Sequence, residues 1–337
     1  MSERVVIVGA GQMGLVMADA VREAGEASVA VWGPFSASVE ALKANRESSR
    51  LPGWRIPEGI HLTADEDVLG EATVLVNAIP TQFVRPVWTR LAPFISSEGP
   101  STGSVMVVST AKGLEIGTGR RPTEVIREVI DEVSTCVLSG PTIAAELARH
   151  QPAVMVAASE EARTVKSVHR LFGTPWLRIY ESPDPLGVEL AGALKNVIAI
   201  AAGICDGLDL GFNAKSALLA RGLAEMARFG VAAGADSKTF FGVAGVGDLA
   251  TTCFSPEGRN RACGEAIARG MDLDAYLTAQ ACVVEGVSTV QSVLQQAVNM
   301  DLELPITKAV GRVVFDKVDP WESIQDLMSR PAGEEGL

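Results

Sequence analysis

The stretch Val5-Val6-Ile7-Val8-Gly9-Ala10-Gly11-Gln12-Met13-Gly14 decides the fold. Its unbroken β-branched run reads as a strand buried on both faces, the kind found in parallel sheets. Glycines at 9, 11 and 14 then turn the chain, and Leu15 to Ala24 continue with helical character before Gly25. Strand, turn and helix in that order form a dinucleotide-binding element. The first glycine permits the tight turn, the second lets backbone approach a pyrophosphate, and the third lets helix pack on strand. The free N–H groups at the helix start face the phosphates. Gly9, Gly11, Gln12, Met13 and Gly14 are therefore expected cofactor contacts. A glycine triplet alone also fits a structural turn without nucleotide; the flanking strand and helix favour the cofactor.

The second strand ends in Val31-Trp32-Gly33-Pro34, where an acidic residue would bind an adenosine ribose. With no carboxylate there, and no arginine closely following, NAD and NADP both stand as cofactor candidates. Trp32 is either an adenine platform or strand-end packing.

Working outward, apolar runs at 4–9, 28–32, 60–63, 73–79, 104–109, 135–139, 153–158 and 176–180 alternate with amphipathic stretches. This is the pattern of a doubly wound parallel sheet covered by helices. After Ser182-Pro183-Asp184-Pro185 strand patterns cease. Helices are expected over 187–206, 213–229, 236–240, 258–269, 272–279, 286–299, 303–314 and 320–328, with Gly230 and Gly270 as stops. The expected organisation is a Rossmann-type α/β domain over 1–183, an all-α domain over 184–330 and a frayed polar tail over 331–337.

Composition narrows the function. The 337 residues, 47% of them hydrophobic, suffice for two cores. A net charge of −12 argues against a nucleic-acid or anionic-membrane partner bound by overall charge, so an anionic ligand needs a local cluster. Cys136, Cys205, Cys253, Cys263 and Cys282 are widely spaced without a Cys-x-x-Cys pair, as expected of reduced thiols in the cytosol. The chain start lacks the features of a signal peptide, and the apolar run Val197 to Cys205 is too short to span a bilayer. His61, His150 and His169 have no second ligand close in sequence, so metal-free chemistry is expected.

Ligands of doubly wound sheets bind beyond the carboxyl ends of the strands. Three segments there break apolar runs with small or polar groups: Asn77 to Gln82, Ser109 to Glu115 and Leu138 to Thr142. Lys112, their only cation, either delivers a charge to an anion or is a solvated surface lysine. In the second domain Gly187 to Gly203 is apolar nearly all round, so it reads as a buried helix. Lys195 stacks there above Val188, Ala191 and Gly192, with Asn196 beside it. A buried ammonium needs a partner or a task, and burial makes its pKa movable; the alternative is a side chain snorkelling to the surface. Further on, Gly247-Asp248-Leu249 and Glu257-Gly258-Arg259-Asn260-Arg261 pair a carboxylate with an arginine-rich turn. Arg259 and Asn260 at a helix start suit a phosphate, unless Arg259 and Arg261 form ordinary salt bridges.

Together these segments resemble the bacterial-type NAD(P)-dependent sn-glycerol-3-phosphate dehydrogenases. The resemblance runs through Leu51-Pro52-Gly53, Ile79 to Gln82, Thr110 to Glu115, Ser139 to Glu146, Gly192 to Asn196, Gly211 to Lys215, Thr239 to Gly242, Gly247 to Leu249, Thr252-Cys253 and Arg259 to Arg261. It implies a Rossmann domain followed by a helical domain like that of 6-phosphogluconate dehydrogenase, in a homodimer. It also implies reversible reduction of dihydroxyacetone phosphate, whose product feeds glycerophospholipid synthesis. By the same resemblance Lys195 is the acid/base, and Lys112, Gly140, Thr142, Asp248, Thr252, Arg259 and Asn260 join it in binding substrate. Lys112, Ala144, Arg259, Val283 and Glu285 resemble cofactor contacts. Two departures stand out: Gly258 replaces a serine frequent in bacterial members, and the arginine often found after the second strand is missing. The rival readings are a dehydrogenase of another small hydroxy acid or ketopantoate-like compound, and a dinucleotide sensor without catalysis.

Overall fold

A computed structural model of the chain describes residues 3–95, 105–280 and 283–331. The chain forms two compact units, one of Met1–Ala111 with Pro122–Pro185, the other of Lys112–Arg121 with Leu186–Leu337. The single cut expected near residue 184 thus leaves out an excursion, Lys112–Arg121, which leaves the sheet and joins the helices. Of the expected tail, 332–337 lies outside the described residues, as does Cys282.

In the first unit the strands are β1 Glu3–Val8, β2 Ala27–Trp32, β3 Ile60–Thr63, β4 Val74–Asn77, β5 Met106–Ser109, β6 Ser134–Ser139, β7 Ala153–Ala158 and β8 Leu177–Ser182. The helices are α1 Gln12–Ala24, α2 Ser36–Asn45, α3 Val84–Leu91, α4 Pro122–Val129, α5 Ala144–Ala148 and α6 Ala162–Phe172. The eight strands lie in the order β3-β2-β1-β4-β5-β6-β7-β8. Strand order reverses between β1 and β4, where Val8 pairs with Asn77, so the Gly9 turn emerges at a topological switch point. Because strand side chains alternate, Val5 and Ile7 enter one core with α1 and α6, while Val6 and Val8 enter another with Trp88 and Val107.

The sheet is mixed rather than wholly parallel: β7 runs antiparallel to β6, and β8 parallel to β7. The β6–β7 connection holds only the five-residue α5, which does not return the chain to the opposite end of the sheet.

The second unit comprises α7 Pro185–Gly207, α8 Gly211–Ala232, α9 Ser237–Phe240, a π-helical turn Val243–Gly247, α10 Asp248–Phe254, α11 Arg259–Ala268, α12 Leu273–Ala279, α13 Glu285–Asn299, α14 Pro305–Phe315 and α15 Pro320–Met328. The π-helical turn and α10 were not expected from sequence. α7 is the axis of this unit, with every residue from Gly187 to Ile204 buried. Its 23 residues, with a mean hydropathy of 1.6 in its most apolar stretch, are long and apolar enough to cross a membrane, yet that stretch is packed within the protein. Here α7 and α11 touch backbone to backbone: a Cβ on Gly264 would stand 2.0 Å from the Ile200 carbonyl oxygen.

Gly230 does not stop α8, which runs on to Ala232. A Cβ at 230 would strike the Phe240 ring at 2.0 Å, so this glycine serves close packing. Gly270, at φ +90°, does follow the end of α11.

Candidate functional site

In the first unit the three turn glycines have different surroundings. Gly9 adopts φ +121°, and a Cβ there would lie 2.7 Å from the Ala78 carbonyl oxygen. At Gly14 a Cβ would lie 2.0 Å from the Gly9 carbonyl oxygen. Around Gly11, by contrast, nothing lies within 4 Å of that position. Gly11 is the N-cap of α1 and brings no side chain to cap it, so the first-turn N–H groups of Gln12, Met13 and Gly14 are directed outward. Open space over uncapped amides at a switch point fits the pyrophosphate of a dinucleotide. Gln12 itself donates its side-chain amide to the Arg50 carbonyl.

Trp32 does not offer the adenine platform that its place at the end of β2 suggested. It is wholly buried in the sheet core, with the Arg90 guanidinium 5.6 Å from its ring centroid, and has no open face for an adenine. Packing is the reading that holds. Gly140 and Thr142 follow β6, joined by a bond from the Thr142 hydroxyl to the Gly140 carbonyl at 3.1 Å, and Ala144 starts α5.

The second unit assembles the ionic cluster. Lys195 is only 6% exposed, which removes the snorkelling alternative. Its Nζ donates to Thr252 Oγ1 at 2.5 Å and lies 3.0 Å from Asp248 Oδ1. The other carboxylate oxygen of Asp248 accepts from Lys112 Nζ at 2.6 Å. Asp248 and Thr252 stand one turn apart on α10, and the Thr252 hydroxyl donates to the Asp248 carbonyl at 2.7 Å. Lys112 is thus no solvated lysine; its side chain is 17% exposed and ion-paired.

Burial pushes the Lys195 pKa down to about 8, Asp248 pulls it upward, and Lys112 pushes it down again. Burial is the largest of these influences and outweighs the neighbouring cation, Lys112. The ammonium is therefore poised to exchange a proton near neutrality, with a carboxylate to orient it.

Asn196 was set beside Lys195 by sequence but given no task. Its Nδ2 donates to the Lys112 carbonyl at 3.1 Å, and its Oδ1 accepts from Asn260 Nδ2 at 2.8 Å. Asn260 Oδ1 in turn accepts from the Gly286 N–H at 2.9 Å. The signal was an uncharged amide on an otherwise apolar helix. Glu189, on the same helix, bonds Arg121 at 2.8 Å. Together with Ser292, which donates to the Leu114 and Glu115 carbonyls, and Gln296, which donates to that of Gly119, these bonds strap the Lys112–Arg121 excursion to α7 and α13. That strap delivers Lys112 to Asp248.

The two arginines of the turn part company. Arg261 takes the salt bridges, to Asp206 and Glu265. Arg259 is exposed, and among the described residues no carboxylate lies in salt-bridge range; its Nη1 donates to the Val283 carbonyl at 3.2 Å. Glu285 opens α13 two residues beyond Val283. A Cβ at Gly258 would lie 2.9 Å from the Thr252 carbonyl oxygen, so a serine here would crowd the turn.

A Rossmann-type unit with an open glycine turn, followed by a helical unit with a buried lysine of lowered pKa, defines a dinucleotide-dependent dehydrogenase. Residues 4–165 match the family model of the NAD-dependent glycerol-3-phosphate dehydrogenase N-terminus, and 184–325 that of its C-terminus. The chain belongs to the NAD-dependent glycerol-3-phosphate dehydrogenase family. It is 40% identical to the glycerol-3-phosphate dehydrogenase [NAD(P)+] of Parafrankia sp. (strain EAN1pec), over 98% of either chain. It is also 40% identical to that of Salinibacter ruber, over 99% of this chain and 97% of that one. The crystal structure of glycerol-3-phosphate dehydrogenase from Coxiella burnetii superposes with a TM-score of 0.91 at 32% identity, covering 98% of this chain and 99% of that one.

Proposed function

We propose that this chain interconverts dihydroxyacetone phosphate and sn-glycerol 3-phosphate with NAD(P), and that Lys195 is its acid/base. Family membership supports the reaction, and the buried Lys195 between Asp248 and Thr252 carries the assignment of the chemistry. When bound, the nicotinamide cofactor supplies or accepts the hydride. As the ketone carbon is reduced, protonated Lys195 Nζ donates to the carbonyl oxygen as it becomes an alkoxide. In the reverse direction neutral Lys195 takes the proton from the secondary hydroxyl. Asp248 aims the ammonium and, with Thr252, limits its rotation. Lys112 Nζ, across the same carboxylate, presents a second positive charge to the substrate.

Arg259, with the α11 amides and the remaining Asn260 N–H, holds the phosphate, using the non-reacting end of the substrate to place the carbonyl. Gly9, Gly11, Gln12, Met13 and Gly14 hold the dinucleotide. The resemblance further assigns Gly140 and Thr142 to substrate, and Lys112, Ala144, Arg259, Val283 and Glu285 to the cofactor. A homodimer supplying phospholipid synthesis completes this reading and rests on the family alone, while the cytoplasmic setting follows the cysteine pattern.

Following NADH and, separately, NADPH oxidation with dihydroxyacetone phosphate tests the reaction and ranks the cofactors. Near-normal turnover by Lys195→Met would sink the acid/base assignment.

A further inference from the structure

Away from the Lys195 cluster, the helical unit holds a second, partly buried set of charges that the chemistry does not use. Lys215, near the start of α8, is only 7% exposed, and its Nζ donates to both Asp206 oxygens, at 2.7 and 2.8 Å. The same ammonium lies 4.9 Å from the centroid of Phe254, the last residue of α10. Arg261, on the first turn of α11, donates Nη1 to Asp206 Oδ2 at 2.7 Å and to Glu265 at 2.8 Å. Its Nε donates to the Ser255 carbonyl at 3.0 Å, immediately after α10. The guanidinium therefore spans the loop that joins α10 to α11, and Asp206, at the end of α7, anchors it from below. Burial alone would raise the Asp206 carboxyl, but the bonds from Lys215 and Arg261 outweigh it and keep it below its usual value.

A partly buried ionic network is a poor device for stability alone, since desolvation and solvent screening consume much of the attraction. Its placement states another task. α10 carries Asp248 and Thr252, and α11 opens with Arg259 and Asn260. The loop between them connects the residues that hold the Lys195 ammonium to the turn assigned to the phosphate. We propose that Lys215, Asp206 and Arg261 form a positioning clasp that presets the phosphate-binding turn at Arg259 and Asn260, so that losing it weakens substrate binding rather than proton transfer. The inference rests on the reading above that this turn holds the substrate phosphate.

Steady-state kinetics with dihydroxyacetone phosphate, and inhibition by inorganic phosphate as a probe of the anion site alone, test it on Lys215→Met, Asp206→Asn and Arg261→Lys, with Arg259→Ala alongside. In the clasp variants KM and the phosphate inhibition constant rise together by about tenfold or more, kcat changes by less than about threefold, and the pH profile keeps its midpoint. Lys215→Arg, which keeps the charge, restores KM. Asp206→Asn and Arg261→Lys preserve shape or charge, so a failure of Lys215→Met to fold leaves the test standing, and thermal unfolding tracks the folded fraction. KM within about twofold of the parent in the folded clasp variants, or a fall in kcat with KM unchanged, overturns the clasp. If Arg259→Ala raises KM and the clasp variants do not, only the clasp falls. If Arg259→Ala leaves KM unchanged, the phosphate reading falls and the clasp with it.

Discussion

Lys195 and Asp248 stand 3.0 Å apart with side chains 7% and 2% exposed, and the carboxylate that holds this lysine also holds Lys112. Burial lowers the proton affinity of Lys195, and this shared carboxylate raises it. Ketone reduction uses protonated Lys195, so kcat/KM in that direction falls as pH rises through about 8; alcohol oxidation uses the neutral amine and rises through the same value. Asp248→Asn removes the influence that raises this pKa and moves the midpoint to lower pH. Lys112→Met removes one that lowers it and moves the midpoint higher. Rate profiles in both directions check this, and midpoints unmoved by either substitution would show that Lys195 does not titrate in the reaction.

The same pKa carries a stability prediction. Its folded value of about 8 lies below the ordinary 10.5, so the unfolded chain binds more protons between those values. Protonated Lys195 therefore opposes folding fully below about pH 8, and the penalty fades as pH climbs toward 10.5. Lys195→Met removes the penalty and leaves Asp248 its 2.6 Å bond from Lys112. Turnover falls by roughly 10²–10⁴-fold while the urea midpoint at neutral pH stays or rises. A large drop in midpoint would mean that the lysine is structural.

How far such features were legible depends on the range of the interaction. β1 was readable because four consecutive β-branched residues admit little else, although their division between two cores was not. β7 was readable as a strand but not in direction, which depends on pairing with β6. α10 escaped because the glycine-rich run before it hides its start, yet Asp248 and Thr252 face Lys195 only because that helix forms. Lys195 announced itself as a charge on an apolar helix. Asn196 carried a weaker version of that signal, and its partners lie 84 and 64 residues away, beyond any local pattern. Trp32 failed as a ligand for the same reason: only the fold shows whether a strand-end ring is covered.

The glycine turn separates folding from binding by one methyl group at two positions. Gly14→Ala drives a Cβ to 2.0 Å from the Gly9 carbonyl, so the turn must distort, and a stability loss of about 2 kcal/mol or more is expected. Gly11 has φ −79° and open space, so Gly11→Ala leaves the unfolding midpoint nearly unchanged. Its methyl nevertheless occupies the space assigned to the pyrophosphate, and the cofactor KM rises about tenfold or more. Equal cofactor KM in parent and Gly11→Ala would place the dinucleotide elsewhere.

The orientation of Asn260 is settled by its neighbours rather than by its own density of contacts. The Gly286 N–H can meet only an acceptor, and Asn196 is pinned by donating to the Lys112 carbonyl, so Asn260 must offer Nδ2 to Asn196 Oδ1. Asn260→Asp keeps the acceptor for Gly286 and replaces the donor with an oxygen facing another oxygen at 2.8 Å. The cost is about 1–3 kcal/mol, read as a lower urea midpoint. The new carboxylate also adjoins Arg259 in sequence and repels a phosphate dianion, so the KM for dihydroxyacetone phosphate rises more than in Asn260→Ala, and added salt narrows the gap. Asn260→Asp as stable as the parent would break the amide chain from Gly286 to Lys112. Asn260→Ala and Asn260→Asp with the same KM would remove the phosphate from this turn.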